Sequence, residues 1–391
     1  MLPCNLPPFE TPGFLSWFVY AAGLSKVPPQ FTLWAGLSAL SACMSDRIWF
    51  SKFRNEKLYA NLYVMLIGPS GTGKNQAWRQ AQKLVEKMPS SEQEIVQLYR
   101  GKSSAEALIS WLGKSKKRNN IWLVTPELAL QVGNGPKAES FITHMTELFD
   151  GDQTFQDNTR TSGHHTVRNP IIGWGSGTTQ DWLLRSVGKQ DVLGGFFARI
   201  CAIPAERSSV RYAKVIYPHD AAEIEGWLSA YLAHLTQITG EFTLDDAADE
   251  YHTWWYENRA EPENDLLWHY YEHGDNIVYK LCMVLAASDS YKLVGEYDHM
   301  VGAIALYEWV YDRLGKVLEF AHQTPEVEKL EMIARYIEAL PAIGHAQLLR
   351  AMSARGVTRE VLMSNLQTLK ERGDVTQLTI GAGRSYRWIG T

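Results

Sequence analysis

The sequence predicts an α/β fold: a parallel-sheet core, then a helical domain, then a small C-terminal module. Three patterns carry that prediction. Short apolar runs alternate with helical stretches over residues 57–215, long amphipathic stretches fill 216–325, and three helical stretches plus a hairpin pattern occupy 326–391. Residues 1–56 read as a helical lead-in.

The elements follow in chain order. Residues 14–23 and 31–45 have apolar residues at helical spacing, parted by the breaker Val27-Pro28-Pro29. Residues 61–67 form a short apolar run ending at glycine, as a strand buried on both faces of a parallel sheet does. Residues 76–87 are helical in character. Further strands are expected at 121–124, after the basic loop 114–118, and at 170–175. Long helical stretches cover 223–238, 244–258, 276–288 and 297–320. The last module offers helices at 327–340, 345–354 and 358–372, the third capped by Thr358 and ended by Gly373. A hairpin of 375–380 and 385–389 turns through Gly381-Ala382-Gly383. Three helices and a hairpin is the layout of a winged helix.

Composition narrows the class. The chain has 391 residues, 38 Lys and Arg against 43 Asp and Glu, and a formal net charge of −5. Hydrophobic residues make 45% and charged residues 21%, which argues against a largely disordered chain. Mild acidity excludes a uniformly basic protein but not a local basic face. Cys4, Cys43, Cys201 and Cys282 form no CxxC pair, so neither a zinc site nor a disulfide framework is expected. The opening residues lack the basic and apolar regions of a signal peptide. The apolar stretch 31–44 is broken by Ser38 and Ser41 and falls short of the ~20 residues a membrane span needs. A cytoplasmic protein with no membrane partner is the expectation.

The strongest motif is Gly68-Pro69-Ser70-Gly71-Thr72-Gly73-Lys74-Asn75, followed by Gln76, between an expected strand and an expected helix. That is the context of a phosphate-binding loop. Its glycines let backbone N–H groups converge on phosphate oxygens, the helix N-terminus adds partial positive charge, and Lys74 reaches the β- and γ-phosphates. The cofactors expected are ATP and Mg²⁺. The last position usually carries Ser or Thr, whose hydroxyl binds Mg²⁺; here Asn75 offers an amide oxygen of different reach. Nucleotide binding is therefore better supported than fast hydrolysis.

Residues 121–124 lead into Thr125-Pro126-Glu127. Glu127 is placed to orient a water on the γ-phosphate and to join the metal shell with Asn75. Pro126 stands where an Asp is usual. The alternative is that Glu127 merely opens a helix at 127–132. Thr178 and Thr179, past the third strand, are placed to sense the γ-phosphate, or else to cap a helix. Gly194-Gly195-Phe196-Phe197-Ala198-Arg199 would present Arg199 to a nucleotide across a subunit boundary. A structural salt bridge is the alternative for Arg199, and Arg185 is a competing cation.

Residues 153–168 alternate, are rich in Thr and contain Ser162-Gly163, so a hairpin is expected. Arg160, His164, His165 and Arg168 would give it a basic tip and flank for a phosphate backbone; a solvated hairpin is the alternative. Asp150, Asp152 and Asp157 read as turn chemistry before a nuclease site. From Gly344 onward, seven cations face three anions, a net +4 on a chain of −5. Arg359 and Lys370 on the third helix would face DNA, with Tyr386 and Trp388 free to stack or pack. A protein-contact module is an equal alternative.

Taken in order, these elements resemble AAA+-type ATPases with a hairpin inserted before the sensor strand, a group that includes viral superfamily-three and minichromosome-maintenance-type helicases. More closely, the chain is similar to a family of phage and plasmid helicase-like P-loop proteins. The residues that carry the likeness are 60–74, Glu147-Leu148-Phe149-Asp150-Gly151-Asp152 and 194–199. The resemblance implies an AAA+-like P-loop NTPase core, a helical lid domain and a C-terminal winged-helix domain. It implies a DNA translocase or helicase of a mobile element, working in replication in the host cytoplasm. Its partners would be single-stranded DNA, further copies in a ring such as a hexamer, and other replication proteins. A nucleotide-switched DNA-binding protein with little hydrolysis is the alternative, favoured by Asn75 and Pro126. A packaging motor ranks last, because the chain is short for an added nuclease domain.

Overall fold

The computed structural model describes residues 13–53, 56–100, 105–114, 120–128, 136–151, 154–159, 163–180, 183, 195–210, 212–262, 267–321, 325–380 and 383–390. The chain divides into two units, residues 1–317 and 318–391.

The first unit is α/β, built on a five-stranded parallel sheet. Its strands are β3 (Tyr63–Ile67), β4 (Leu98–Arg100), β5 (Asn120–Thr125), β8 (Ile171–Thr178) and β9 (Ile200–Pro204), in the order β4-β5-β8-β3-β9. β3, β5 and β8 are buried along their whole length, as strands covered on both faces must be.

One face is covered by α2 (Pro29–Met44), which lies across β8, β3 and β9, and by α3 (Lys74–Glu86). α2 is buried nearly all round, because α1 (Phe14–Ala21), α7 (Ala221–Leu235) and α10 (Gly274–Asp289) pack on its outer side. The serines that interrupt its apolar sequence have partners. Ser38 accepts from the Trp122 indole at 3.0 Å, and Ser41 donates to the Ala60 carbonyl at 2.8 Å while accepting from Leu62 N–H at 3.0 Å.

The same face of β8 carries Gly173, Gly175 and Gly177 at every second position. A Cβ on Gly175 would lie 2.6 Å from the Trp78 ring of α3, and one on Gly177 2.5 Å from the Pro126 carbonyl. Trp78 fills the room, donating to the Ser176 carbonyl at 3.0 Å. The opposite face holds Tyr63, Trp174, Phe141, Phe149 and Phe196 in edge and tilted ring contacts. Phe141 comes from α6 (Pro136–Glu147).

Residues 48–53 and 56–59 are not helical. β1 (Ile48–Phe53) and β2 (Glu56–Tyr59) form an antiparallel pair, and β1 also pairs in parallel with β10 (Gly240–Leu244), which pairs with β11 (Val294–Gly295). Residues near both ends of this unit thus share a second sheet. Between β5 and β8 stands a separate antiparallel hairpin of β6 (Thr154–Thr159) and β7 (Gly163–Arg168), with α5 (Ala105–Lys114) against β7. α4 (Ser90–Val96), α8 (Asp246–Asn258), α9 (Trp268–Glu272) and α11 (Tyr297–Ala321) complete the described helices of this unit, α11 ending just past the boundary. Among the described residues no helix is long and apolar enough to cross a membrane.

The second unit contains α12 (Pro325–Glu338), α13 (His345–Ser353) and α14 (Arg359–Glu371), with the hairpin β13 (Val375–Ile380) and β14 (Gly383–Trp388). Thr358 caps α14 by accepting from Val361 N–H at 3.4 Å, and Gly373 follows with φ +81°. A short strand β12 (Ile343–Gly344) adds a third member beside β14. Leu348, Met352, Leu362, Leu366, Leu369 and Tyr386 lie in one core. Tyr386 is therefore a packing residue, its hydroxyl 3.1 Å from His345 Nδ1, and Trp388 packs against the same core.

Candidate functional site

In an open parallel sheet the strand ends with a break in winding order leave a crevice that binds ligands. Here the chain runs from β3 to the far edge at β4, returns through β5 and β8, and then crosses β3 to form β9. The break falls at β3, and the glycine-rich loop leaves the C-terminal end of that strand.

The loop conformation requires its glycines. Gly71 has φ +86° and Gly73 +94°, both in the left-handed region. A Cβ on Gly73 would also strike Val27 at 2.8 Å, and one on Gly68 the Ala205 carbonyl at 2.6 Å. Gly68 N–H donates to the Thr178 carbonyl at 3.1 Å, tying the loop to the end of β8. Thr72 is buried and its hydroxyl donates to the Pro69 carbonyl. α3 then starts at Lys74 with no side-chain cap, so its N-terminal N–H groups face the loop.

Lys74 folds back onto this loop. Its ammonium donates to the carbonyls of Gly68 and of Pro69, the latter at 3.0 Å, and lies 3.5 Å from Thr72 Oγ1. Burial lowers its pKa and the nearby Glu127 carboxylate raises it. Glu127 is exposed, one residue past Pro126 beyond the end of β5. Asn75 is exposed in the first turn of α3, and Gln76 is half-buried. Thr178 is buried at the end of β8, paired in register with Ile67, and half-buried Thr179 follows. Ser70, Lys74, Asn75, Glu127 and Thr179 therefore follow the C-terminal ends of β3, β5 and β8.

Arg199 lies at the N-terminal end of the strands. It directly precedes β9, whose first residue pairs with Tyr63 at the start of β3. Four residues of strand, about 13 Å at ~3.3 Å each, separate that level from the loop. Its guanidinium donates to the Gly195 carbonyl at 2.8 Å and pairs with Asp150 at 3.4 Å. Asp150 belongs to the root of the hairpin, which is held further by Asn61 donating to the Phe149 carbonyl at 2.9 Å. The buried Lys280 of α10 donates to Asn61 Oδ1 at 2.6 Å and lies 4.3 Å from the Phe149 ring centroid.

On the hairpin, His164 and His165 are consecutive residues of β7, opposite Asn158 and Asp157, and exposed Arg168 pairs with Thr154 at the root. Arg160, Asp152, Arg185, Gly194 and the stretch 129–132 lie outside the described residues. In the second unit Arg359 and Lys370 are exposed on α14, and Lys370 donates to Gln377 Oε1 at 3.1 Å.

Sequence reading passed over one residue at the loop. Exposed Arg207 donates through Nη2 to the Ser70 carbonyl at 3.2 Å. The segment is fixed by Ala205 N–H, which donates to the Ile67 carbonyl at 2.8 Å. The signal was the apolar run 200–203, a strand whose C-terminal continuation must arrive beside the loop. Among the described residues no cluster of three or more His, Cys, Asp or Glu is placed to hold a metal ion. Mg²⁺ needs only one or two side-chain oxygens besides substrate phosphates, and Asn75 and Glu127 offer such oxygens on exposed side chains. No protein-family model matches the chain, and a search of curated proteins returns no match.

Proposed function

We propose that the chain is an ATP-dependent DNA translocase or helicase of a phage or other mobile element, an AAA+-like P-loop ATPase that works as a ring in replication. One observation carries the reading: a glycine-rich loop, a lysine, a carboxylate and a polar strand end converge at the sheet's winding break. A phosphate entering the loop would take over the Lys74 hydrogen bonds now made to carbonyls, and helix and loop N–H groups would face its oxygens. Glu127 would orient the attacking water, and Thr179 would contact the γ-phosphate. Mg²⁺, held near Asn75 and Glu127, would supply charge neutralisation on the phosphates.

Arg199 lies too far from its own loop to serve it. In this reading it acts on a nucleotide held by a neighbouring copy, after leaving Asp150. The second unit is read as a winged helix whose α14 meets DNA, and the β6–β7 hairpin as the element that moves along one strand.

Turnover measured with and without single-stranded DNA tests the proposal. DNA-stimulated hydrolysis lost in Lys74→Ala and in Glu127→Gln is the expected outcome. Tight ATP binding without turnover supports the second reading, a nucleotide-switched DNA-binding protein, which Asn75 and the Arg199–Asp150 pair favour. Absence of nucleotide binding overturns both.

A further inference from the structure

We infer that Arg207 is a second cation for the terminal phosphate of the bound nucleotide, supplied by the same subunit; this rests on the phosphate-loop reading above. Lys74 holds the carbonyls of Gly68 and Pro69, and Arg207 holds the next one, that of Ser70. Two cations thus sit on three successive carbonyls at the start of one loop. A phosphate-loop lysine reaches the β- and γ-phosphates, so the carbonyls that Lys74 now holds mark the part of the loop those phosphates would occupy.

The two approach from different sides. Lys74 comes from inside, on the first turn of α3. Arg207 comes from outside, on the segment that continues β9 past the sheet edge. That segment is not loosely placed, because the Ala205 N–H bond to Ile67 extends the β3–β9 ladder and the Ala205 carbonyl lies 2.6 Å from where a Gly68 Cβ would be. The arginine stands three residues beyond the end of β9, within reach of the loop without refolding.

The Arg207–Ser70 bond is made in water by an exposed side chain, so it adds little to the stability of the fold. Its consequence is position. A guanidinium parked on a carbonyl is exchanged readily for a phosphate, which accepts a charge-assisted, forked pair of bonds. Arg199 cannot do this for its own loop, since it is held at the opposite end of the strands by Asp150 and Gly195. Arg207 would therefore distinguish a triphosphate from a diphosphate before any neighbour docks.

The test compares ATP and ADP affinity, by calorimetry with Mg²⁺, in the wild type, Arg207→Ala, Arg207→Lys and Lys74→Ala. Arg207→Ala is expected to weaken ATP about 10- to 100-fold, the value of hydrogen bonds to a charged group, and to leave ADP nearly unchanged. Arg207→Lys keeps the charge and restores part of the ATP affinity. Lys74→Ala weakens both nucleotides. Unchanged ATP affinity in Arg207→Ala overturns the inference while the phosphate-loop reading stands. An equal loss of ATP and ADP does the same, since it makes Arg207 a brace for the loop. A wild type that binds neither nucleotide overturns the loop reading and this inference together.

Discussion

Lys280 carries an ammonium into a place that water does not reach, between Asn61, Phe149 and the start of β9. Burial pushes its pKa down to about 7 from 10.5; Asp150 and Cys201 work against that shift, and Arg199 adds to it. Between these values the unfolded chain binds a proton that the folded chain does not, so this group makes stability rise with pH from about 7 to 10.5. Replacing it by methionine removes the titration and leaves a side chain of similar length. Denaturant unfolding of the wild type and Lys280→Met, at several pH values from about 7 to 9.5, should show the wild type gaining on the variant as pH rises. A difference that stays flat with pH would show that Lys280 does not titrate in this window. Groups that do not interact with Lys280 cancel in the subtraction. Arg199, close by, was ambiguous in sequence because whether an arginine pairs at home or across a boundary depends here on Asp150, 49 positions away.

At the scale of elements, glycine does two separate jobs around the loop. Gly71 and Gly73 supply a backbone conformation, whereas Gly173, Gly175 and Gly177 supply space. Gly175→Ala would drive a methyl to 2.6 Å from the Trp78 ring, which is itself held by its bond to Ser176. Overpacking of this kind costs about 1–3 kcal/mol, and each kcal/mol lowers Tm by about 2–4 °C in a domain of this size. Gly226→Ala on α7 is the control of opposite sign: a Cβ there meets nothing within 4 Å, and the change favours the helix by roughly 0.5–1 kcal/mol. Thermal unfolding of the two variants decides it; equal shifts would mean that Gly175 is not a packing position. The loop was legible in sequence because strand, turn and helix are consecutive, so local patterning reports all of it. So was the alternation of β6 and β7, and the Thr358 cap. The β1–β10 pairing was not, because it joins segments about 190 residues apart and nothing local marks a parallel partner. β9 escaped for a related reason: four apolar residues between aromatics and Pro204 carry no period of their own. With β9 unread, Arg207 had no place beside the loop.

For the molecule as a whole, charge is distributed against its total. The chain is acidic at −5, yet the stretch from Gly344 onward carries a net +4. Within the second unit, α14 turns Leu362, Leu366 and Leu369 into the core and leaves Thr358, Arg359, Ser364, Gln367 and Lys370 exposed. Lys370 also donates to Gln377 Oε1 of the hairpin at 3.1 Å. A helix with that face is suited to binding phosphates, and counterion release gives such binding a measurable signature. On duplex DNA, removing one phosphate-binding cation makes the slope of log K against log salt shallower by about 0.9. The double variant Arg359→Ala/Lys370→Ala in the full chain should therefore bind duplex DNA more weakly, with a slope shallower by about two. Arg168→Ala, at the hairpin root, is the comparison within the first unit. Titrations across a salt series separate the outcomes. An unchanged slope in the double variant would overturn the proposal that α14 meets DNA. A slope that falls only in Arg168→Ala would move that surface to the hairpin and leave the second unit as a protein-contact module.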